Sequence, residues 1–445
     1  MLGKSSDQTS PQAHLFKPVL GSFINLKDPL VVLGQKMDWK GLEASFEQFY
    51  PKMGAPSKPV RLMAGLLILK QMFNRSDETI VEDWRQNPYY QYFTGGVYFE
   101  WELPCDPSDL VHFRKRIGEG GVSRIFSMSL GLHQDKISVA QEVIIDTTVQ
   151  EKNITFPTDT KLAINSIEKL LKVAQRHGIK LKQTFGKELK ALKVDLRFSH
   201  HPKRRKQANK AMRRVKTIAG KLLREVRKKL EGVDGQGYEG VLAIIDKALK
   251  QTRHSKDKVY SLHEPDVACI AKGKSHKPYE FGSKISLSTL PGTNVVVDVS
   301  HFVGNPHDSK TLDTVIPKLK SIMPENLGFG IVDRGYRGRK TIEGVSIVVP
   351  NTKEDSKQTT EYQNNKSRQC RSRAAIEPVI SHIKHDCRMF RNYLKGVIGD
   401  KINATLAGAA FNFRLAYNEI KAMVLFFLNL VRLLISVRPQ IIPLH

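Results

Sequence analysis

Two aspartates each close an apolar, strand-like run: Asp146 after EVII and Asp333 after GFGIV. A strand buried between helices has a fixed backbone, and ligands of parallel sheets bind just beyond the strand C-termini. If the two strands are parallel neighbours, about 4.8 Å apart, their carboxylates can bind the same divalent cations. Taken singly, either residue reads as the aspartate that commonly starts a turn. A third acid, Glu377, lies in Arg373-Ala-Ala-Ile-Glu-Pro-Val-Ile-Ser-His-Ile-Lys384. On a continuous helix Glu377 and Lys384 fall within about 40° of Arg373, so all three share a face. Pro378 disfavours the α conformation at Glu377 unless the helix starts nearby or kinks there. Alone, the Arg373–Glu377 spacing is that of an ordinary surface ion pair. Together the three acids could hold two Mg²⁺ or Mn²⁺ ions about 4 Å apart, one activating an attacking oxygen and one stabilising a leaving 3′ oxygen at phosphorus.

The charge balance indicates the substrate class. Lys and Arg number 71 against 44 Asp and Glu, a net +27, which points to a polyanionic partner, nucleic acid first. Much of the excess sits in HHPKRRKQANKAMRRVKTIAGKLLREVRKKLEG, which includes Lys203, Arg204, Arg205, Arg213, Arg214, Arg227 and Lys228, opposed by Glu225 and Glu231. A solvated helix normally mixes signs to gain i,i+4 pairs, so this region is assigned to phosphate contact. In DRGYRGRK, the loop after Asp333, Arg334, Arg337 and Arg339 are placed to face phosphate. An anionic membrane would attract the same charge. However, MLGKSSDQTSPQAHLF has no apolar core of signal-peptide length and no lipidation motif. The apolar run 422–437 is shorter than the about 20 residues a span needs and contains Asn429 and Arg432. It is expected to pack on the catalytic domain or on a second subunit. Four scattered cysteines exclude a disulfide framework, His382, His385 and Cys387 lack a second zinc-ligand pair, and no P-loop is present.

The elements that must position these groups change in character near residue 140. Upstream, 59–73 is too densely apolar for a surface helix. Asn74, Arg75 and Ser76 interrupt it, and a second helix follows with Thr79 and Glu82 at capping-box spacing. A third begins at Pro107 and is expected to stop at Gly118, Gly120 and Gly121. The pair is either a DNA-reading helix-turn-helix or an ordinary packing unit. Downstream come the runs 142–146, 280–290, 294–303, 328–333 and 344–350, with helices between the later ones. This is an α/β pattern, and Pro291-Gly292-Thr293 suggests a hairpin, so the sheet should be mixed.

IIDTTVQEKNITFPTD, KGKSHKPYEFGSK, NPHDSKTL, IVDRGYRG and SRAAIEPVISHIK resemble the DDE transposases of bacterial insertion sequences, in the group related to insertion sequences four and five. DWRQNPYYQYFTG and PCDPSDLVHFRKRIGEGG resemble that group's N-terminal domain, so the similarity covers roughly residues 40–415. The most specific match is the signature Arg, three residues, Glu, six residues, Lys, here Arg373, Glu377 and Lys384. The resemblance implies a ribonuclease-H-like catalytic domain over 136–420, carrying a basic helical insertion at about 160–255. It implies an N-terminal helical domain, 1–135, for DNA ends, and leaves an apolar tail, 421–445, unassigned. Asp146, Asp333 and Glu377 would be the metal-binding triad, with Arg373 and Lys384 on DNA phosphates. The family's signature tyrosine is here Cys370. The implied activity is binding of terminal inverted repeats, Mg²⁺-dependent hydrolysis at the element ends and transfer of the 3′-OH into target DNA. A cytoplasmic, nucleoid-associated homodimer is expected, because two ends must be brought together. A metal-dependent nuclease without strand transfer and a catalytically inactive DNA-binding remnant are the alternatives.

Overall fold

The computed structural model describes residues 17–51, 53, 56–231, 238–252, 254–273, 275, 277–350 and 359–436, with side chains to 429 in the last helix. Residues 1–16 and the end of the apolar tail, 437–445, lie outside these residues. The chain forms two compact units. One comprises Met1–Glu151, Lys284–Phe302 and Pro306–His445, and the other Lys152–Ser283 with Val303–Asn305.

Among the described residues, eight strands form one mixed sheet: β1 (Glu142–Lys152), β2 (Ala268–Ala271), β3 (Tyr279–Thr289), β4 (Val296–Phe302), β5 (Phe329–Ile331), β6 (Thr341–Ile342), β7 (Val345–Val348) and β8 (Arg391–Asn392). The order is β2-β3-β1-β5-β7-β6, with β4 paired to β3 and β8 to β1. β5 runs parallel to both β1 and β7, whereas β3/β4 and β6/β7 are antiparallel. The expected hairpin at Pro291-Gly292-Thr293 joins β3 to β4. Val143, Ile144 and Ile145 are consecutive and fully buried, the mark of a strand covered on both faces.

The helices of the first unit follow from local signals. In the helix Val60–Met72, Leu66, Leu67, Ile68 and Leu69 are all buried. The next helix, Asp77–Gln86, starts earlier than Thr79. Its cap is Ser76, whose side chain accepts from the Thr79 N–H at 3.0 Å. The expected stop at Gly118 is instead a kink: Gly118 takes φ 55°, ψ −153°, and the helix Pro107–Gly131 resumes beyond it. Only a residue without Cβ adopts that geometry readily. Asp77 ties the three helices together, accepting from both guanidinium nitrogens of Arg114 at 2.7 and 2.6 Å and from Lys70 at 2.8 Å. Burial, with Arg114 beside it, lowers the Lys70 ammonium to about 8.

The last helix, Gly396–Ser436, is anchored by Asn412. Its fully buried side chain accepts from the Val296 N–H at 2.9 Å and donates to the Val296 carbonyl at 2.8 Å, replacing a strand neighbour for that residue. Further along, Met423, Leu425, Phe426, Phe427 and Leu428 are exposed. No described helix is long and apolar enough to cross a membrane.

The second unit holds the helices Asp159–Arg176, Gly186–Arg197, Arg205–Leu230 and Glu239–Lys250 around its own core, which includes Leu162, Ile167, Leu170, Val215, Ile218, Leu222 and Ile245. Arg205–Leu230 carries eleven Lys and Arg against one Glu. Ala208, Ala211, Val215, Ile218, Leu222, Val226 and Leu230 line its buried face. Lys206, Lys210, Arg213, Thr217, Lys221, Arg224 and Lys228 are exposed at steps of three and four. They form a basic stripe about 33 Å long at 1.5 Å per residue.

Candidate active site

The parallel register pairs Ile144 of β1 with Ile331 of β5. Two residues on in each chain stand Asp146 and Asp333, which therefore occupy matching positions on adjacent chain segments. One expectation is corrected here. Asp146 does not end its strand, since β1 continues to Lys152, in keeping with the β-branched Thr147, Thr148 and Val149 that follow. It is β5 that ends, at Ile331, and Asp146 lies just past the paired stretch.

Asp333 opens a 3₁₀ turn, Arg334–Tyr336, and its Oδ1 accepts from the Gly335 N–H at 2.7 Å. The turn swings Tyr336 inward until its side chain is fully buried. Burial, then the carboxylates of Asp146, Asp308 and Asp333, raise the phenol well above its ordinary range. The hydroxyl faces Thr147 but makes no well-formed hydrogen bond. Asp308, the first residue of the helix Asp308–Ile322, accepts on Oδ1 from the Thr147 hydroxyl at 2.9 Å and from Lys284 Nζ at 2.8 Å. Asp308, Lys284, Thr147 and Tyr336 were not singled out above. Each lies in a stretch quoted for the family resemblance, but without that resemblance nothing in their spacing distinguishes them.

Arg373 reaches the site from the other side. Its guanidinium lies 3.4 Å from Asp146 Oδ2 and 3.8 Å from Glu377 Oε1, so one cation links the first and third acids. Pro378 is accommodated because a 3₁₀ turn, Arg373–Ala375, leads into a new helix, Ile376–His385, that places the proline in its first turn, where its missing N–H costs nothing. Glu377 is 70% exposed. Lys384 is half-buried and two turns further along the same helix, on the Glu377 face. Cys370, at the position of the signature tyrosine, packs against the apolar cluster of Ile144, Ile331, Val348 and Ile376.

Arg334 and Arg337 are exposed, whereas Arg339 pairs with Asp313 at 2.7 Å. In the second unit, Lys203, Arg204, Arg205, Arg213 and Lys228 are exposed and Arg227 is half-buried. Arg214 forms a two-pronged pair with Glu188 at 2.5 and 3.0 Å.

Among the described residues, no three His, Cys, Asp or Glu side chains are gathered tightly enough to hold a metal ion. The donor chemistry nevertheless fits a hard divalent cation, because Asp146, Asp308 and Asp333 are all carboxylates near enough to Tyr336 to raise its phenol.

Two family models match the chain. Residues 18–116 match the transposase domain DUF772, and residues 238–413 match the transposase DDE domain. The chain belongs to the DDE transposase family. The DDE match contains Asp333, Arg373, Glu377 and Lys384, and Asp146 precedes it. A Rhizobium meliloti protein described as an uncharacterized protein, ORF8 in the nfe locus, is 35% identical over 202 residues, covering 44% of this chain and 98% of the relative. No solved structure matches. Membership in this family makes the chain a transposase with a ribonuclease-H-like fold, of a kind that generally uses divalent metals.

Gly335 provides a local test of this transposase's site. A Cβ there would lie 2.9 Å from Asp333 Oδ1 and 3.3 Å from Asp308 Oδ2, and both oxygens would have to move. Gly335→Ala is expected to slow DNA cleavage roughly 10- to 100-fold while DNA affinity holds. Gel-based cleavage and binding assays check this, and an unchanged cleavage rate would show that the two carboxylates need not stay where they are.

Proposed function

We propose that this protein is the transposase of a bacterial insertion sequence in the group related to insertion sequences four and five. It binds the element's terminal inverted repeats, hydrolyses the phosphodiester at each end and joins the freed 3′-OH to target DNA. The observation that carries this reading is the matched placement of Asp146 and Asp333 on adjoining parallel segments, with Arg373 linking Asp146 to Glu377.

Asp146, Asp333 and Glu377 would hold two Mg²⁺ or Mn²⁺ ions, which when bound activate the attacking oxygen and stabilise the leaving one. The chain supplies the rest. Arg373, with a planar fork that suits carboxylate or phosphate, lies against two of the acids, where it can also pair with the scissile phosphate. Lys384, Arg334 and Arg337 contact neighbouring phosphates. In the first step a water oxygen bonds to phosphorus and the bond to the 3′ oxygen breaks, leaving a 3′-OH and a 5′-phosphate. In the second that 3′ oxygen bonds to a target phosphorus and gives up its proton, while the target's own 3′ oxygen leaves and takes up a proton, so the exchange is proton-neutral.

The basic stripe of the second unit holds the DNA backbone, residues 1–135 bind the ends, and 136–420 form the catalytic domain. The protein acts in the cytoplasm, on the nucleoid, as a homodimer. The exposed apolar residues 423 and 425–428 support self-association. The test incubates the protein with Mg²⁺, duplexes carrying the DNA that flanks its reading frame, and a target plasmid. Nicked ends and joined products are expected. Cleavage without joining would indicate the nuclease, and binding without cleavage the inactive remnant.

A further inference from the structure

The Asp146 carboxylate is braced from behind. Its Oδ1 accepts from the Thr147 N–H at 2.7 Å, so the direction of the carboxylate follows the Thr147 backbone. The Thr147 hydroxyl in turn donates to Asp308 Oδ1. Asp308 is itself held. Lys284, with its side chain only 9% exposed, donates to the same oxygen and to the Pro306 carbonyl at 2.6 Å. A buried ammonium that lost its carboxylate would be strongly destabilising, so Asp308 cannot readily turn away. Its second oxygen lies on the side of Gly335 that also faces Asp333 Oδ1. The fully buried Tyr336 hydroxyl faces Thr147 without a well-formed hydrogen bond, and all three aspartates act on it. An acid at a helix start can serve merely to favour the helix dipole. That role does not require one oxygen to be shared between a threonine on β1 and a lysine on β3.

We propose that Asp308 is a positioning residue for the reaction, holding Asp146 through Thr147 and held in turn by Lys284, so that the first acid presents a fixed carboxylate to a divalent cation. This rests on the transposase reading above. Thr147→Val keeps the side-chain volume and removes only the donor, whereas Thr147→Ser keeps the donor. Each variant is compared with the full-length protein in three measurements: end cleavage, Mn²⁺ affinity from the electron paramagnetic resonance signal of free Mn²⁺, and melting temperature.

Thr147→Val is expected to weaken Mn²⁺ binding and slow cleavage by about 10- to 100-fold, the usual cost of losing a group that orients a metal ligand. Its DNA affinity and melting temperature should stay near those of the parent, and Thr147→Ser should recover most of both losses. Asp308→Asn should reproduce the Mn²⁺ defect. Mn²⁺ affinity of Thr147→Val within twofold of the parent would overturn the proposal, as would a melting-temperature drop with Mn²⁺ affinity intact. If the parent protein does not cleave at all, the transposase reading fails, and the Mn²⁺ titrations still decide the role of Asp308.

Discussion

Asp333→Asn is expected to lower end cleavage by roughly 10³-fold or more while leaving DNA binding in place. Asparagine keeps the size of the side chain and an oxygen that can still accept from the Gly335 N–H, so the 3₁₀ turn and the burial of Tyr336 survive. What is lost is a negative charge that, on the reading proposed above, holds a divalent cation, the group that balances the negative charge building up around phosphorus; single electrostatic contacts to such charge are commonly worth 10²–10³ in rate, with metal ligands costing more. Asp146→Asn should behave alike and should also release the Arg373 guanidinium from one of its two partners. Glu377→Gln, on a largely exposed residue, should leave the fold untouched and still abolish cleavage. The measurement is a time course of strand cleavage with Mg²⁺, paired with a mobility-shift titration in its absence. Retained cleavage in any variant would remove that residue from the reactive set.

The second large effect concerns the basic stripe. Replacing Lys210, Arg213, Lys221 and Arg224 with glutamine should flatten the plot of log affinity against log salt by about 0.9 per lost phosphate contact, about 3 to 4 in all, and weaken binding to every sequence alike. These residues point away from the apolar face of their helix, so the second unit should melt as before. Arg214→Gln serves as the contrast. Its guanidinium is already committed to Glu188, and the salt slope should change little. Four substitutions that leave the slope where it was would remove this helix from the DNA interface.

How much of this was readable from the chain differs by element. Asp146 and Asp333 stood out because apolar runs ending in Asp are short, local patterns, and their matching register follows once the two strands are parallel. The length of β1 was not visible. Its continuation past Asp146 is set by pairing with β3 and β8, which lie far away in sequence. The start of the second helix was missed by a few residues because serine and threonine can both cap a helix, and Ser76 rather than Thr79 takes that role. Gly118 looked like a stop because glycine permits both a stop and a kink, and the choice depends on the buried Val122, Ile125 and Phe126 that continue the helix. Asp308 and Lys284 were least legible: a lysine in a strand and an aspartate at a helix start become a pair only when the fold brings β3 beside that helix. Asn412 belongs with them, since a polar residue in an apolar helix shows its purpose only beside the backbone of Val296.

The chain leaves the first unit along β1, enters the second at Lys152, and returns along β3 at Lys284, and β1 and β3 are neighbours in the sheet. The two strands that bound the excursion are thus held in the same sheet. Lengthening a flexible excursion between fixed ends costs only about 0.6 kcal/mol per doubling. Insertions, deletions or wholesale replacement between these strands can therefore be absorbed without shifting the register that aligns the two aspartates.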